Sequence, residues 1–277
     1  MISFPNCKIN LGLHVTRKRS DGYHDLETVY APIQLCDILE IVPSGPVRGN
    51  ILYSSSGIPV DAGIENNLCA KAYRLLQNDF PGLGPVKLHL HKIIPAGAGL
   101  GGGSADGAFT LKLLNKKLNL GLSTQQLLDY ALQLGSDCPF FIHNKPCFAK
   151  GRGELLEPIE LPLSSCSLLI VNPGIHIRTA DAFSQLTASF PDMPLKDMIS
   201  RPVNEWKEFL KNDFEKPVFA RFPEIKRIKE SLYEYGAFYA SMSGSGSTVY
   251  GIFEKNSLTD YSFPPSWFVK MTSFIPS

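Results

Sequence analysis

Five glycines fall within seven residues of this chain, in the run Pro95-Ala96-Gly97-Ala98-Gly99-Leu100-Gly101-Gly102-Gly103-Ser104. Backbone so poor in Cβ atoms takes conformations closed to other residues and approaches a neighbouring group closely. Directly after it, Ala105, Ala108, Leu111 and Leu114 recur at helical spacing. A glycine-rich loop that opens onto a helix offers inward N–H groups and the positive end of the helix dipole, which together make an anion cradle. A nucleoside triphosphate suits such a cradle. The run is not a Walker A loop, because no Gly-Lys-Ser/Thr ends it, and its glycine spacing does not fit a dinucleotide fingerprint. Leu100 inside the run and the helix after it argue against a flexible linker.

The chain around this loop is long enough for one large domain or two ordinary ones, at 277 residues. Its formal net charge of +1 gives no electrostatic footprint for nucleic acid. The six cysteines, Cys7, Cys36, Cys69, Cys138, Cys147 and Cys166, form no Cys-x-x-Cys pair. Neither a zinc site nor a disulfide framework follows, and scattered thiols fit a reducing cytosol. His89 and His91 sit at strand spacing and read as solvent-facing strand residues rather than a metal pair. No leader-like apolar region or membrane-length run appears, so a cytoplasmic protein without membrane partners is expected.

Along the chain, Ile9, Leu11, Leu13 and Val15 alternate with Lys8, Asn10, Gly12 and His14, which predicts a half-buried strand with a polar face. Arg19-Ser20-Asp21-Gly22-Tyr23-His24 reads as a turn with an aromatic ring and an imidazole at its tip. Further strand is expected over 31–42, a helix over 67–77 and a strand from Val86 to His91. Ser123 and Gln126 make a capping box for a helix that Gly135 ends. Asp106 lies in the first turn after the glycine loop, where it favours the dipole yet repels phosphate, so it should point away from the ligand or towards a metal. Later come a buried strand at 168–171, helices near 203–210 and 223–235, and a hairpin turning at Ser243-Gly244-Ser245-Gly246. Strands and helices without regular alternation point to an α+β fold.

Three segments invite one site: the strand face with Lys8 and Asn10, the 95–104 loop, and the turn Gly135-Ser136-Asp137. The Ser243–Gly246 turn is a fourth. In this order and spacing the chain resembles the kinase family named for galactokinase, homoserine kinase, mevalonate kinase and phosphomevalonate kinase, the GHMP kinases. The resemblance rests on Lys8-Ile9-Asn10-Leu11, Arg19 to Thr28, Pro95 to Ser104, Gly135 to Phe141, Gly151-Arg152-Gly153-Glu154 and Ser243 to Ser247, and it thins after about Phe253. The Asp-Gly-Tyr-His element beside Lys-Ile-Asn is similar to members that phosphorylate a cytidine diphosphate-linked methylerythritol.

That resemblance implies a two-lobed α+β architecture, with an N-terminal ATP-binding domain at 1–153 and a C-terminal domain at 154–277 whose lobe is ferredoxin-like. It implies ATP and Mg²⁺ as cofactors, a small-molecule substrate, and a monomer or weak homodimer. Asp137 matches the family's base, and Lys8 the lysine that stabilises the ionised carboxylate and the developing alkoxide. Pro95, Ala96, Gly97, Ala98, Gly99, Leu100, Gly101, Gly102, Gly103, Ser104 and Ala105 would wrap the phosphates, with Ser104 reaching a phosphate or Mg²⁺. Asn67 and Lys92 match positions near the adenine. Asn10 would touch the second substrate. Tyr23 matches the stacking tyrosine, Phe183 would close the other face of the base, His24 would bond the base edge, and Thr179 would contact the diphosphate or the methylerythritol.

The chain departs from the family pattern at Asn6-Cys7, where a small alanine commonly precedes the lysine, at Ala105 for a frequent serine, and at Gly107 for a frequent alanine. Cys7 and Cys138 neighbour the proposed catalytic residues, and thiol-reagent sensitivity is expected if either lines the cleft. Two rival readings remain: a homoserine or mevalonate kinase-like enzyme, against which Tyr23-His24 argues, and a non-catalytic sensing protein, against which Lys8 and Asp137 argue.

Overall fold

The computed structural model describes residues 1–45, 50–59, 63–257 and 260–275. Its strands in chain order are β1 (Ile2–Ser3), β2 (Asn6–Lys18), β3 (His24–Cys36), β4 (Ile38–Pro43), β5 (Ile51–Gly57), β6 (Val86–Lys92), β7 (Cys147–Lys150), β8 (Leu155–Pro158), β9 (Cys166–Asn172), β10 (Tyr239–Met242), β11 (Val249–Glu254) and β12 (Phe268–Ser273). Its helices are α1 (Leu68–Asp79), α2 (Gly102–Lys117), α3 (Thr124–Leu134), α4 (Cys138–His143), α5 (Thr179–Ser184), α6 (Leu195–Ile199), α7 (Trp206–Phe209), α8 (Glu215–Arg221) and α9 (Pro223–Glu234). Residues cluster into two compact α+β units. One holds 1–7, 35–96 and 101–144; the other holds 8–34, 97–100 and 145–277. The units interleave along the chain rather than parting at residue 153, because β3 pairs antiparallel with β7, Val29 opposite Phe148.

In the first unit the sheet runs β1-β4-β6-β5, with β5 and β6 parallel and the other pairs antiparallel. Leu39, Ile41, Leu88 and Leu90 supply its buried face. On the other face the half-buried His89 and His91 bond the hydroxyls of Ser54 and Ser56. Asn67 caps α1 by accepting from the N–H groups of Cys69 and Ala70. The Ser123–Gln126 capping box opens α3, and Gly135 follows its last residue. Gly107 explains one departure from the family pattern. A Cβ there would lie 3.0 Å from Leu68 Cβ and 3.3 Å from Leu134 Cδ1, so glycine lets α2 press against α1 and α3. Asn6 explains another, since its Oδ1 accepts from the side chain of Asn144 at the end of α4, 2.8 Å away.

The expected strand over 31–42 is two strands in different sheets, broken at Asp37. Asp37 turns inward because its carboxylate takes the backbone N–H groups of Ile93 and Ile94 and the ammonium of Lys92.

The second unit contains two four-stranded sheets, β2-β3-β7-β8 and β10-β11-β9-β12. The latter is antiparallel and sets its first strand between the third and fourth, the order of a ferredoxin-like sheet. None of the described residues between β11 and β12 is helical. Leu13, Val15, Leu169, Val171, Ile225, Ile228 and Leu232 belong to its core. The expected helix near 203–210 is a 3₁₀ turn, Val203–Glu205, running into α7.

β2 departs from the half-buried strand that its alternation predicts, for every residue from Asn6 to Thr16 is buried. Its polar side chains are tolerated there because they have partners: Lys8 bonds Asn10, Asn10 bonds Thr28, and His14 Nδ1 meets Asp213 at 3.3 Å.

Candidate active site

In the second unit, residues 97–100 of the glycine loop are pinned to β2 and to the Ser243–Gly246 turn. Lys8 N–H donates to Leu100 O at 3.0 Å, Thr248 N–H to Ala98 O at 3.2 Å, and the Ser243 hydroxyl to Gly99 O at 2.8 Å. Gly99 has φ +81°, and a Cβ there would collide with the Ser243 carbonyl. Only glycine permits this approach. Lys8 is 4% exposed; its Nζ lies 2.7 Å from Asn10 Oδ1 and 4.7 Å from the centre of the Tyr30 ring. Asn10, expected to touch substrate, is 2% exposed, with Oδ1 facing Lys8 and Nδ2 facing Thr28.

In the first unit, α2 begins after Gly101, which holds a left-handed conformation at φ +69°, and among the described residues no side chain caps this helix. Its first-turn N–H groups therefore keep their capacity for an anion. Gly102 packs under Ile94, whose Cγ2 would lie 2.8 Å from an added Cβ. Ser104 lies beside the Cys138 thiol. Helices α2 and α4 pack against one another, and Asp137 immediately precedes α4. Asp137 is half-buried at the N-cap position of α4, yet its side chain makes no capping bond.

Lys92 and Asn67 are both buried, and both side chains are committed within the protein. Lys92 Nζ bonds Asp37 and, at 2.9 Å, Asp106 Oδ2, while Asn67 Nδ2 donates to the Tyr53 hydroxyl. Asp106 thus points into a buried cluster, and its Oδ1 has no hydrogen-bond partner. Burial and the charge of Asp37 push the Asp106 carboxyl up to about 7 against the pull of Lys92. Burial opposes the charge on Lys92, but Asp106 and Asp37 outweigh it and raise the ammonium.

The Arg19–His24 turn is tied within the second unit. Arg19 N–H donates to Tyr23 O at 2.8 Å, Tyr23 N–H to Asp21 Oδ1 at 3.1 Å, and the Arg19 guanidinium grips Asp21 and Asp25. Tyr23 is 57% exposed, with Arg152 5.0 Å from its ring centre. Phe183 stacks on His24, ring centres 4.8 Å apart, and meets Phe214 edge-on at 4.9 Å. Thr179 Oγ1 lies 3.3 Å from Ser245 Oγ.

The structure therefore joins Lys8, Asn10, the 97–100 segment and Ser243 in one unit, and Ser104 with the Asp137 turn in the other. Sequence reasoning passed over Thr28 and Asp37. Asp37 carried a signal, a lone acid within the apolar run Leu35–Leu39. Cys7 and Cys138 are fully buried, and burial raises both thiols, Cys138 to about 12. They are packing residues, and the conditional expectation of thiol sensitivity lapses.

The GHMP kinases N terminal domain matches residues 67–145, and the GHMP kinases C terminal domain matches residues 195–259. A 4-diphosphocytidyl-2-C-methyl-D-erythritol kinase of Azobacteroides pseudotrichonymphae is 54% identical over 256 residues, 92% of this chain and 94% of the relative. The enzyme of the same name from Bacteroides fragilis is 53% identical, over 91% of this chain and 92% of its own length. A crystal structure of 4-(cytidine 5'-diphospho)-2C-methyl-D-erythritol kinase superposes with a TM-score of 0.81 at 29% identity, covering 99% of each chain. Homoserine kinase from Cytophaga hutchinsonii shares the fold, with a TM-score of 0.68 at 14% identity over 97% of this chain and 94% of that one. A whole-length match of this kind, on top of the shared two-domain plan, shows that the chain belongs to the GHMP kinases and, within them, to the family of 4-diphosphocytidyl-2-C-methyl-D-erythritol kinases.

Proposed function

We propose that this ATP-dependent kinase phosphorylates the tertiary 2-hydroxyl of 4-diphosphocytidyl-2-C-methyl-D-erythritol, a step on the non-mevalonate route to isoprenoid precursors. The reading is supported by the whole-length likeness to enzymes of that name and by the glycine loop opening onto α2, whose N-terminus no side chain caps among the described residues.

The residues divide the work as follows. Backbone N–H groups from Gly97 to Ala105 bind the triphosphate, supported by the α2 dipole. Pro95 and Ala96 lead the chain into that cradle. Lys92 and Asn67 serve the adenine side by shaping the backbone there, since their side chains are engaged elsewhere. Asp137 accepts the proton of the 2-hydroxyl as its oxygen bonds to the γ-phosphorus and the bond to the β–γ bridging oxygen breaks, releasing ADP. Lys8 stabilises the negative charge on the attacking oxygen and the transferring group. Tyr23 offers its exposed ring to the cytosine, His24 and Phe183 form the adjoining aromatic wall, Thr179 lines the polar remainder, and Asn10, buried with both amide ends engaged, holds Lys8.

Mg²⁺, when bound, neutralises charge on the phosphate oxygens. Among the described residues no three or more His, Cys, Asp or Glu side chains converge. That donor set fits an ion carried by nucleotide and water with few protein ligands. Among the described residues no helix is long and apolar enough to cross a membrane. Every described cysteine is a free thiol, which supports a reducing compartment, the cytoplasm.

The test is a coupled ADP-release assay with Mg²⁺-ATP, comparing the cytidylated substrate with the same polyol phosphate lacking cytidine. Turnover is expected only with the former. Asp137→Ala should abolish it while calorimetry still detects ATP binding. Undiminished turnover by that variant would remove Asp137 from the chemistry.

A further inference from the structure

Thr28 lies in β3, fully buried and adjacent to the lysine strand. Its hydroxyl has one hydrogen, and the Gly12 carbonyl 2.5 Å away takes it, because a carbonyl can only accept. Towards Asn10, 3.0 Å away, Thr28 Oγ1 is therefore an acceptor, and the group it faces must be the donor Nδ2. This fixes which way round the Asn10 amide sits, a choice that its shape alone leaves open. Oδ1 is then left towards Lys8, 2.7 Å from Nζ.

The backbone of Asn10 is independently held. Its N–H donates to Ser243 Oγ at 3.2 Å, and its carbonyl accepts from the Tyr250 hydroxyl at 2.6 Å. Ser243 cannot set the amide, because its own hydrogen goes to Gly99 O at 2.8 Å, a better contact than Asn10 Oδ1 at 3.4 Å.

We propose that Thr28 is a positioning residue for Lys8: its hydroxyl locks the Asn10 amide so that a carbonyl oxygen, and not an NH₂ group, receives the ammonium and aims it. With the amide turned over, NH₂ would face NH₃⁺, and a charge-assisted hydrogen bond would become a donor–donor contact. The inference rests on the reading of Lys8 given above.

Thr28→Val keeps the shape and removes the hydroxyl; Thr28→Ser keeps the hydroxyl. With the cytidylated substrate, Thr28→Val should lower kcat about 10- to 100-fold, the scale of one hydrogen bond to a charged group. KM for ATP should stay within about twofold, and Thr28→Ser should retain most of the wild-type kcat. Added to Asn10→Ala, Thr28→Val should cost nothing further. Equal losses in the valine and serine variants, a loss confined to KM, or full additivity with Asn10→Ala would each overturn the proposal. Lys8→Ala separates the two layers. If it is as active as wild type, the reading of Lys8 falls and this inference with it. If it is inactive while Thr28→Val keeps the wild-type kcat, Lys8 stands and the role of Thr28 is refuted. Should the valine variant not fold, Thr28→Ala reads the same loss of the hydroxyl without added bulk.

Discussion

Replacing Asp106 with asparagine probes the buried Asp37–Lys92–Asp106 cluster through its protons. The Asp106 carboxyl is raised from 3.8 to about 7, first by burial and then by the charge of Asp37. Below its ordinary value both the folded and unfolded chains hold the proton, and the stability tied to that protonation is fully present. As pH rises towards about 7 the unfolded chain has released the proton while the folded chain keeps it, so wild-type stability falls. The slope is about 1.4 kcal/mol per pH unit, and the shift sets an upper limit of about 4 kcal/mol. The substituted amide has no such proton to release. Groups elsewhere titrate alike in both proteins and cancel in the difference. The stability of Asp106→Asn relative to wild type should therefore rise by about 2 kcal/mol between about pH 5.5 and 7, then level off. Urea denaturation at closely spaced pH values and constant ionic strength measures this gap. Parallel curves, or a gap that narrows as pH rises, would show that Lys92 holds Asp106 ionised and that the argument from burial is mistaken.

Two further outcomes follow from packing and protonation. Gly99→Ala should raise KM for ATP roughly tenfold or more, the scale of a strained backbone of about 1–3 kcal/mol, because an added Cβ meets the Ser243 carbonyl; an unchanged KM would show that the loop and the 243–246 turn are not held together in solution. Iodoacetamide at neutral pH should leave activity intact over the time in which a free cysteine reacts, because burial raises the thiols of Cys7, Cys69, Cys138 and Cys147. Rapid inactivation traced to any of the four would contradict their placement.

Local signals were legible where one element decides its own shape. The capping box at Ser123, the glycine after α3, the alternating β6 and the loop-to-helix junction at Gly101 all depend on neighbours a few residues away. β2 was misjudged because its alternation says which residues are polar but not what meets them. Lys8, Asn10 and His14 are buried by partners at Thr28, Ser243 and Asp213, remote in sequence. The break at Asp37 was hidden for the same reason, since its partners are the N–H groups of Ile93 and Ile94. Lys92 stood out only through the resemblance, as a match to a position near the adenine. That its ammonium is consumed by two aspartates depends on β4 and α2 converging, and no local pattern records it.

The Arg19 turn fixes the posture of Tyr23 before any ligand arrives. Arg19 binds Asp21 and Asp25, and Arg17 adds a second grip on Asp25. Arg19 lowers the Asp21 carboxyl, and Arg17 with Arg19 lowers that of Asp25, so both stay charged through the physiological range. For the proposed stacking of Tyr23 on a base, a turn backbone already held in place spares part of the ordering cost of about 0.5–1.5 kcal/mol that a mobile segment would impose. That preparation is made of surface charge, which dissolved salt screens within about 10 Å. The proposed recognition of a flat, uncharged base thereby inherits the salt sensitivity of an ionic contact that never touches it.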